Sequence, residues 1–219
     1  METKTKQPPA RRAPRLYLAT PPVSDAREIA NTLAVALADA DVAAVLLRLA
    51  PADERTQINR VKALAPAIQA TGAAVLIEGH AEIVAHGGAD GAHLPNMDEL
   101  QAAGPKLKPD NRIVGAGGMH TRHDAMLAAE DGSDYVMFGE PDEDGKRPSF
   151  DSILERIEWW SEVFEIPCVA WAGSSAEIAE LSAAGADFIA IGEWAFADPR
   201  GLAAVLDDAT AQLSVKAPA

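Results

Sequence analysis

The chain has 219 residues, 48% of them hydrophobic, which suffices for one sizeable core and is short for two domains. Its 19 Lys and Arg against 33 Asp and Glu give a formal net charge of −14, which argues against a nucleic-acid surface or a patch for anionic membranes. No stretch approaches the roughly 18 apolar residues of a membrane span, and the single Cys168 excludes an internal disulfide, so a reducing, cytoplasmic setting fits best.

Basic charge gathers at the start. Lys4, Lys6, Arg11 and Arg12, with Pro8, Pro9 and Pro14, predict a mobile arm over residues 1–14 with no core of its own. It lacks the apolar segment of a secretory signal. Eight short apolar runs follow, at residues 15–20, 43–49, 73–77, 91–94, 113–116, 135–139, 168–172 and 188–192. Most are apolar on both alternating faces, as in parallel strands covered on both sides. Between them, residues 26–38, 60–69, 81–86, 97–103, 123–130, 150–163 and 176–183 have helical composition, and 201–213 closes the chain before a tail at 214–219. The turn into a strand recurs as Gly88-Ala89-Asp90, Gly132-Ser133-Asp134 and Gly185-Ala186-Asp187, with Asp39-Ala40-Asp41 as a variant. Glycine fits the left-handed position after a helix. Eight repeated β-to-α units over residues 15–213 predict one α/β domain, a (β/α)8 TIM barrel. An open doubly wound sheet is the alternative, without the GxGxxG that would support it after the first run.

In such barrels chemistry sits at the C-terminal ends of the strands. That rule selects Arg48, Glu78, His80, residues 93–98 and 117–120, residues 140–146, residues 171–174 and residues 192–194. In these places the chain resembles the thiamine phosphate synthase family and its thiazole tautomerase relatives. Residues 15–20 (RLYLAT) are similar to the family's opening LYLIT, residues 88–100 (GADGAHLPNMDEL) to GADGVHLGQEDL, and residues 113–121 (IVGAGGMHT) to ILGVSAHT. Residues 132–139 (GSDYVMFG), 167–173 (PCVAWAG) and 185–192 (GADFIAIG) are similar to GADYVGFG, PVVAIGG and GADGVAVV.

The resemblance implies a transferase of thiamine biosynthesis that joins a pyrimidine-methyl pyrophosphate to a thiazole phosphate, with Mg²⁺ and cations stabilising the departing pyrophosphate. It implies Arg48 as the strand-two arginine, Asp98 as a metal ligand, Lys146 as the lysine after strand six, and His120 as the histidine that serves tautomerases as an acid/base. Gly117, Gly173, Ile191 and Gly192 match its phosphate-binding turns. Eight positions depart from or line that pattern. Leu46 and Ala50 replace the Gln and Lys flanking Arg48, and Glu78-Gly79 replaces an Asn-Asp pair. Gly117 replaces a serine, Glu140 a proline and Glu193 a serine, while Trp171 stands at the mouth where a flat heterocycle would stack. Carboxylates among these residues would oppose an anion: like charges about 4 Å apart repel by roughly 4 kcal/mol at an effective dielectric of 20. The expectation is therefore a synthase-like protein with an eroded or altered anion site, taking a small heterocyclic or phosphorylated ligand. A non-catalytic binding barrel and a tautomerase-like enzyme remain as alternatives, and Mg²⁺ is expected only if the chain is active.

Several of these residues also have plain structural readings. Arg48 would pair with Glu78 or another mouth carboxylate, His93 would pack inside the barrel, and His120 would contact backbone at a helix entry. Trp194, with Trp171, would line the mouth, and the run at 142–144 would be a solvated surface. The oligomeric state is not legible.

Overall fold

The computed structural model describes residues 13–142 and 144–213. All but the last two residues of the expected arm, and the expected tail, lie outside them. Strands β1 (Arg15–Ala19), β2 (Val42–Leu47), β3 (Ala74–Glu78), β4 (Gly91–Leu94), β5 (Ile113–Ala116), β6 (Tyr135–Phe138), β7 (Cys168–Ala172) and β8 (Phe188–Ile191) run parallel. They pair in chain order, and β8 pairs back onto β1, which closes the barrel and removes the open-sheet alternative.

Between the strands lie α1 (Ala26–Ala36), α2 (Glu54–Gln69), α3 (Val84–Gly87), α4 (Met97–Leu107), α5 (Arg122–Glu130), α6 (Phe150–Val163) and α7 (Ile178–Ala183), followed by α8 (Glu193–Phe196) and α9 (Leu202–Leu213). Side-chain oxygens begin most of the longer helices: those of Asp25, Asp53, Asn96, Thr121 and Ser149 accept first-turn amides of α1, α2, α4, α5 and α6.

Alternation along each strand divides two cores. Leu16, Leu18, Val45, Leu47, Phe138 and Ile189 point outward to the helices, while Tyr17, Leu46, Leu76, Tyr135, Met137, Val169 and Trp171 fill the interior. Small residues make room for the large interior ones. Gly115 is required by Tyr135, whose ring occupies the space of any side chain there. Leu46, expected at the site, is thus an interior packing residue, 1% exposed.

Candidate active site

A cavity of about 830 Å³ opens at the C-terminal end of the barrel, among residues that include Arg48, Glu78, His93, Glu99, His120, Glu140 and Trp171. A depression of about 640 Å³ at the other end is lined by Gln69, Asp90 and Arg112 near the strand starts. Barrel chemistry belongs to the former end.

Arg48 follows β2, and its amide donates to Thr20 Oγ1 at 3.1 Å. Its guanidinium is 26% exposed and lies between two carboxylates, donating from Nε to Glu78 at 3.0 Å and from Nη1 to Glu193 at 2.7 Å. One cation between two carboxylates leaves the trio negative. The structural reading of Arg48 therefore holds, with Glu78 and a second mouth carboxylate, Glu193, engaged at once.

Across the cavity, Glu140 is 19% exposed and receives a hydrogen bond from the Gly118 amide. His93 Nε2 lies 3.0 Å from Glu140 Oε2, His93 Nδ1 lies 2.9 Å from Tyr135 Oη, and Tyr135 Oη lies 2.9 Å from Tyr17 Oη. His93 and Tyr135 stack with rings 10° apart. Burial pushes the Tyr17 phenol well above its ordinary ionisation range, and burial with the neighbouring Tyr17 does the same to Tyr135. Both hydroxyls stay protonated. His93 does pack in the barrel, yet its far nitrogen reaches the cavity.

The turns expected to cradle phosphate are occupied by the protein itself. The Gly173 amide donates to Glu177 at 2.8 Å, and Arg147, held by Glu177 at 2.9 Å and by the Trp171 carbonyl at 2.8 Å, covers the space a side chain at Gly173 would need. Trp171 lies against Gly192 in the same way. Ile191 ends β8, paired with Leu18 and Ala172, its side chain fully buried toward the helices. Gly117 is buried beneath Glu140 and His93.

Other expected residues are less central. Lys146 reaches the cavity but pairs with Asp144, both well exposed. His120 is exposed at the rim, and its carbonyl accepts from Arg156 at 2.6 Å. Ala50 is half-buried behind Arg48, outside the lining, with its amide bonded to Val23. Trp194 does not line the cavity; its indole donates to the Ala172 carbonyl at 2.9 Å. Asp98 is exposed on the first turn of α4 and outside the cavity, while its neighbour Glu99 lines it. Asn96 caps that helix, and a step of about 100° per residue turns position 99 inward instead of 98. Gly79, at φ +60°, sits beside Glu99, where a Cβ would be 3.7 Å from its carboxylate.

Among the described residues no group of three or more His, Cys, Asp or Glu is placed to hold a metal ion. Asp98 is turned away and Glu78 is engaged by Arg48, so the expected Mg²⁺ ligands do not form a preformed site. Arg147, Glu177, Glu99, Tyr17 and Tyr135 were not singled out from sequence. Arg147 stands next to Lys146, and only the turn of that loop decides which of the two faces inward.

A family model described as thiamine monophosphate synthase matches residues 16–193. The thiamine-phosphate synthase of Rhodospirillum centenum is 39% identical over 196 residues, covering 89% of this chain and 95% of that protein. That of Hyphomonas neptunium is 38% identical, over 88% and 90% respectively. Among solved structures, a thiamine phosphate pyrophosphorylase from Pyrococcus furiosus superposes with a TM-score of 0.74 at 21% identity, covering 91% of this chain and 95% of that one, which bears on the fold alone. Family match and relatives agree over nearly the whole barrel: the chain belongs to the thiamine monophosphate synthase family.

Proposed function

We propose that this chain is a thiamine phosphate synthase-type transferase of thiamine biosynthesis with an altered anion site. It would take small phosphorylated heterocycles in the cytoplasm and join a pyrimidine-methyl pyrophosphate to a thiazole phosphate. A bond forms from the thiazole to the methylene carbon as the carbon–oxygen bond to pyrophosphate breaks, and charge develops on the leaving oxygen.

The observation that carries the reading is the position of Arg48 at the mouth of the cavity, clamped by Glu78 and Glu193. A guanidinium suits the departing pyrophosphate, but here an anion must first displace a carboxylate. Counting Glu177 and Glu193, which pair with Arg147 and Arg48, six carboxylates (Glu78, Glu99, Glu140, Asp142, Glu177, Glu193) face four cations (Arg48, Lys146, Arg147, Arg156). Such a mouth favours slow turnover and weak pyrophosphate binding. Mg²⁺ would accompany the pyrophosphate, and the reading assigns no step to a resident ion.

The test is thiamine phosphate formation from both precursors with Mg²⁺, alongside calorimetric titration with pyrophosphate with and without Mg²⁺. The wild type should turn over slowly, and Glu193→Ser should bind pyrophosphate about tenfold more tightly, as expected when a like charge leaves a partly exposed site. No product from either protein would refute the transferase. Rapid wild-type turnover with tight pyrophosphate binding would refute the altered anion site.

A further inference from the structure

Glu140 and Gly117 depart from the family pattern at positions 23 residues apart in the chain, and in space they are one feature. A Cβ at position 117 would collide with the Glu140 carboxylate and with His93 Nε2. The carboxylate fits because that side chain is missing. The Gly118 amide, turned toward it by a φ of +66°, and His93 then hold its two oxygens.

The direction of the hydrogen bonds follows from the far end. The chain of polar groups begins at Tyr17 inside the barrel, so Tyr17 donates to Tyr135, Tyr135 donates to His93 Nδ1, and Nε2–H points at Glu140. This order satisfies every atom and presents Glu140 with donors on both oxygens. A carboxylate has about four acceptor positions. Two are used here, and the rest are available to the cavity that Glu140 and Trp171 both line. The guanidiniums around it are spent: Arg48 on Glu78 and Glu193, Arg147 on Glu177, Arg156 on the carbonyls of Met119 and His120. At Glu140 the cavity therefore offers a flat ring an acceptor.

We propose that Glu140 is a specificity-determining residue of this cavity: its carboxylate, admitted by Gly117 and positioned by His93, accepts a hydrogen bond from an amino group or protonated ring nitrogen of a flat heterocycle. The proposal deepens the transferase reading and rests on it for taking the ligand to be a heterocyclic substrate. It runs against simple erosion of the site, because the two substitutions depend on each other.

The probes are 4-aminopyrimidine and unsubstituted pyrimidine, neither of which carries phosphate, titrated calorimetrically into the full chain. Wild type should prefer the amino compound by about tenfold, the scale of a hydrogen bond to a charged group. Glu140→Gln has one oxygen for two protein donors, Gly118 and His93, and turns an NH2 toward the ligand, so the preference should fall to within about threefold. Gly117→Ala keeps the carboxylate but displaces it, and should give the same loss. Equal binding of both rings by wild type, binding of neither, or an undiminished preference in Glu140→Gln would overturn the proposal; thermal unfolding verifies that the variant folds, and Gly117→Ala decides the matter if it does not. An intact preference without thiamine phosphate formation would refute the transferase alone. The reverse pattern would refute the role of Glu140 alone.

Discussion

The hydroxyl of Tyr135 serves two partners at once, Tyr17 on β1 and His93 on β4, all three side chains being buried. Removing it leaves a buried donor and a buried acceptor facing a gap, each costing about 1–3 kcal/mol. Tyr135→Phe should therefore lower stability by roughly 2–4 kcal/mol in urea unfolding. The same burial sets a response to alkali. In the folded state both phenols ionise above the value of about 10 that they have in an unfolded chain. Their contribution is complete below that pH and is lost as pH rises above it, because only the unfolded chain then releases the protons. The alkaline decline in stability should be shallower in the Tyr17→Phe, Tyr135→Phe double variant, and an unchanged slope would contradict the burial argument. None of this chain of contacts is legible in the sequence. His93 is 42 residues from Tyr135 and 47 from Glu140, and only closure of the barrel brings them together. What the sequence does show is a carboxylate where the resembling family has proline and a glycine where it has serine.

The recurrent glycine-x-aspartate turns tie consecutive strands together. The carboxylates of Asp90, Asp134 and Asp187 accept the amides of Val75, Val114 and Cys168 at 2.7, 2.7 and 2.9 Å, each near the start of the preceding strand. Their own amides donate to the carbonyls of those same residues. A two-way tie of this kind fixes register between neighbours without any side-chain packing. Asp187→Ala should cost about 1 kcal/mol and Asp187→Asn, which retains an acceptor, less than half of that; equal losses by thermal unfolding would mean that charge, not the hydrogen bond, matters. These ties explain why the entries to β4, β6 and β8 were readable: each of those apolar runs starts at a chemical signal. Some elements without one were not. The helix expected at 60–69 begins at Glu54, since Asp53 caps a first turn and a half too polar to show apolar periodicity. The four-residue α8 is too short to show a period at all, so Glu193, expected at the mouth after strand eight, is in addition the first residue of a helix. Asp98 was preferred to Glu99 because resemblance preserves position along the chain, whereas a helix presents residues by rotation.

At the scale of the molecule, β1 begins at Arg15 and pairs on both sides, with β2 and β8, so closure is complete within the described residues. Deleting residues 1–12 should leave the thermal midpoint within about 2 °C of wild type, since less than about 0.5 kcal/mol is then at stake; a loss of many degrees would show that this basic segment contributes to the fold. The barrel itself was legible because its repeat is written eight times, but its interior was not, because interior partners come from distant repeats. Tyr17 and Tyr135 lie 118 residues apart. During synthesis the first tyrosine therefore emerges long before its partner exists. The Tyr17–Tyr135 hydrogen bond forms only once the sixth strand is made, so a fragment ending before β6 lacks this link between the first strand and the far side of the barrel.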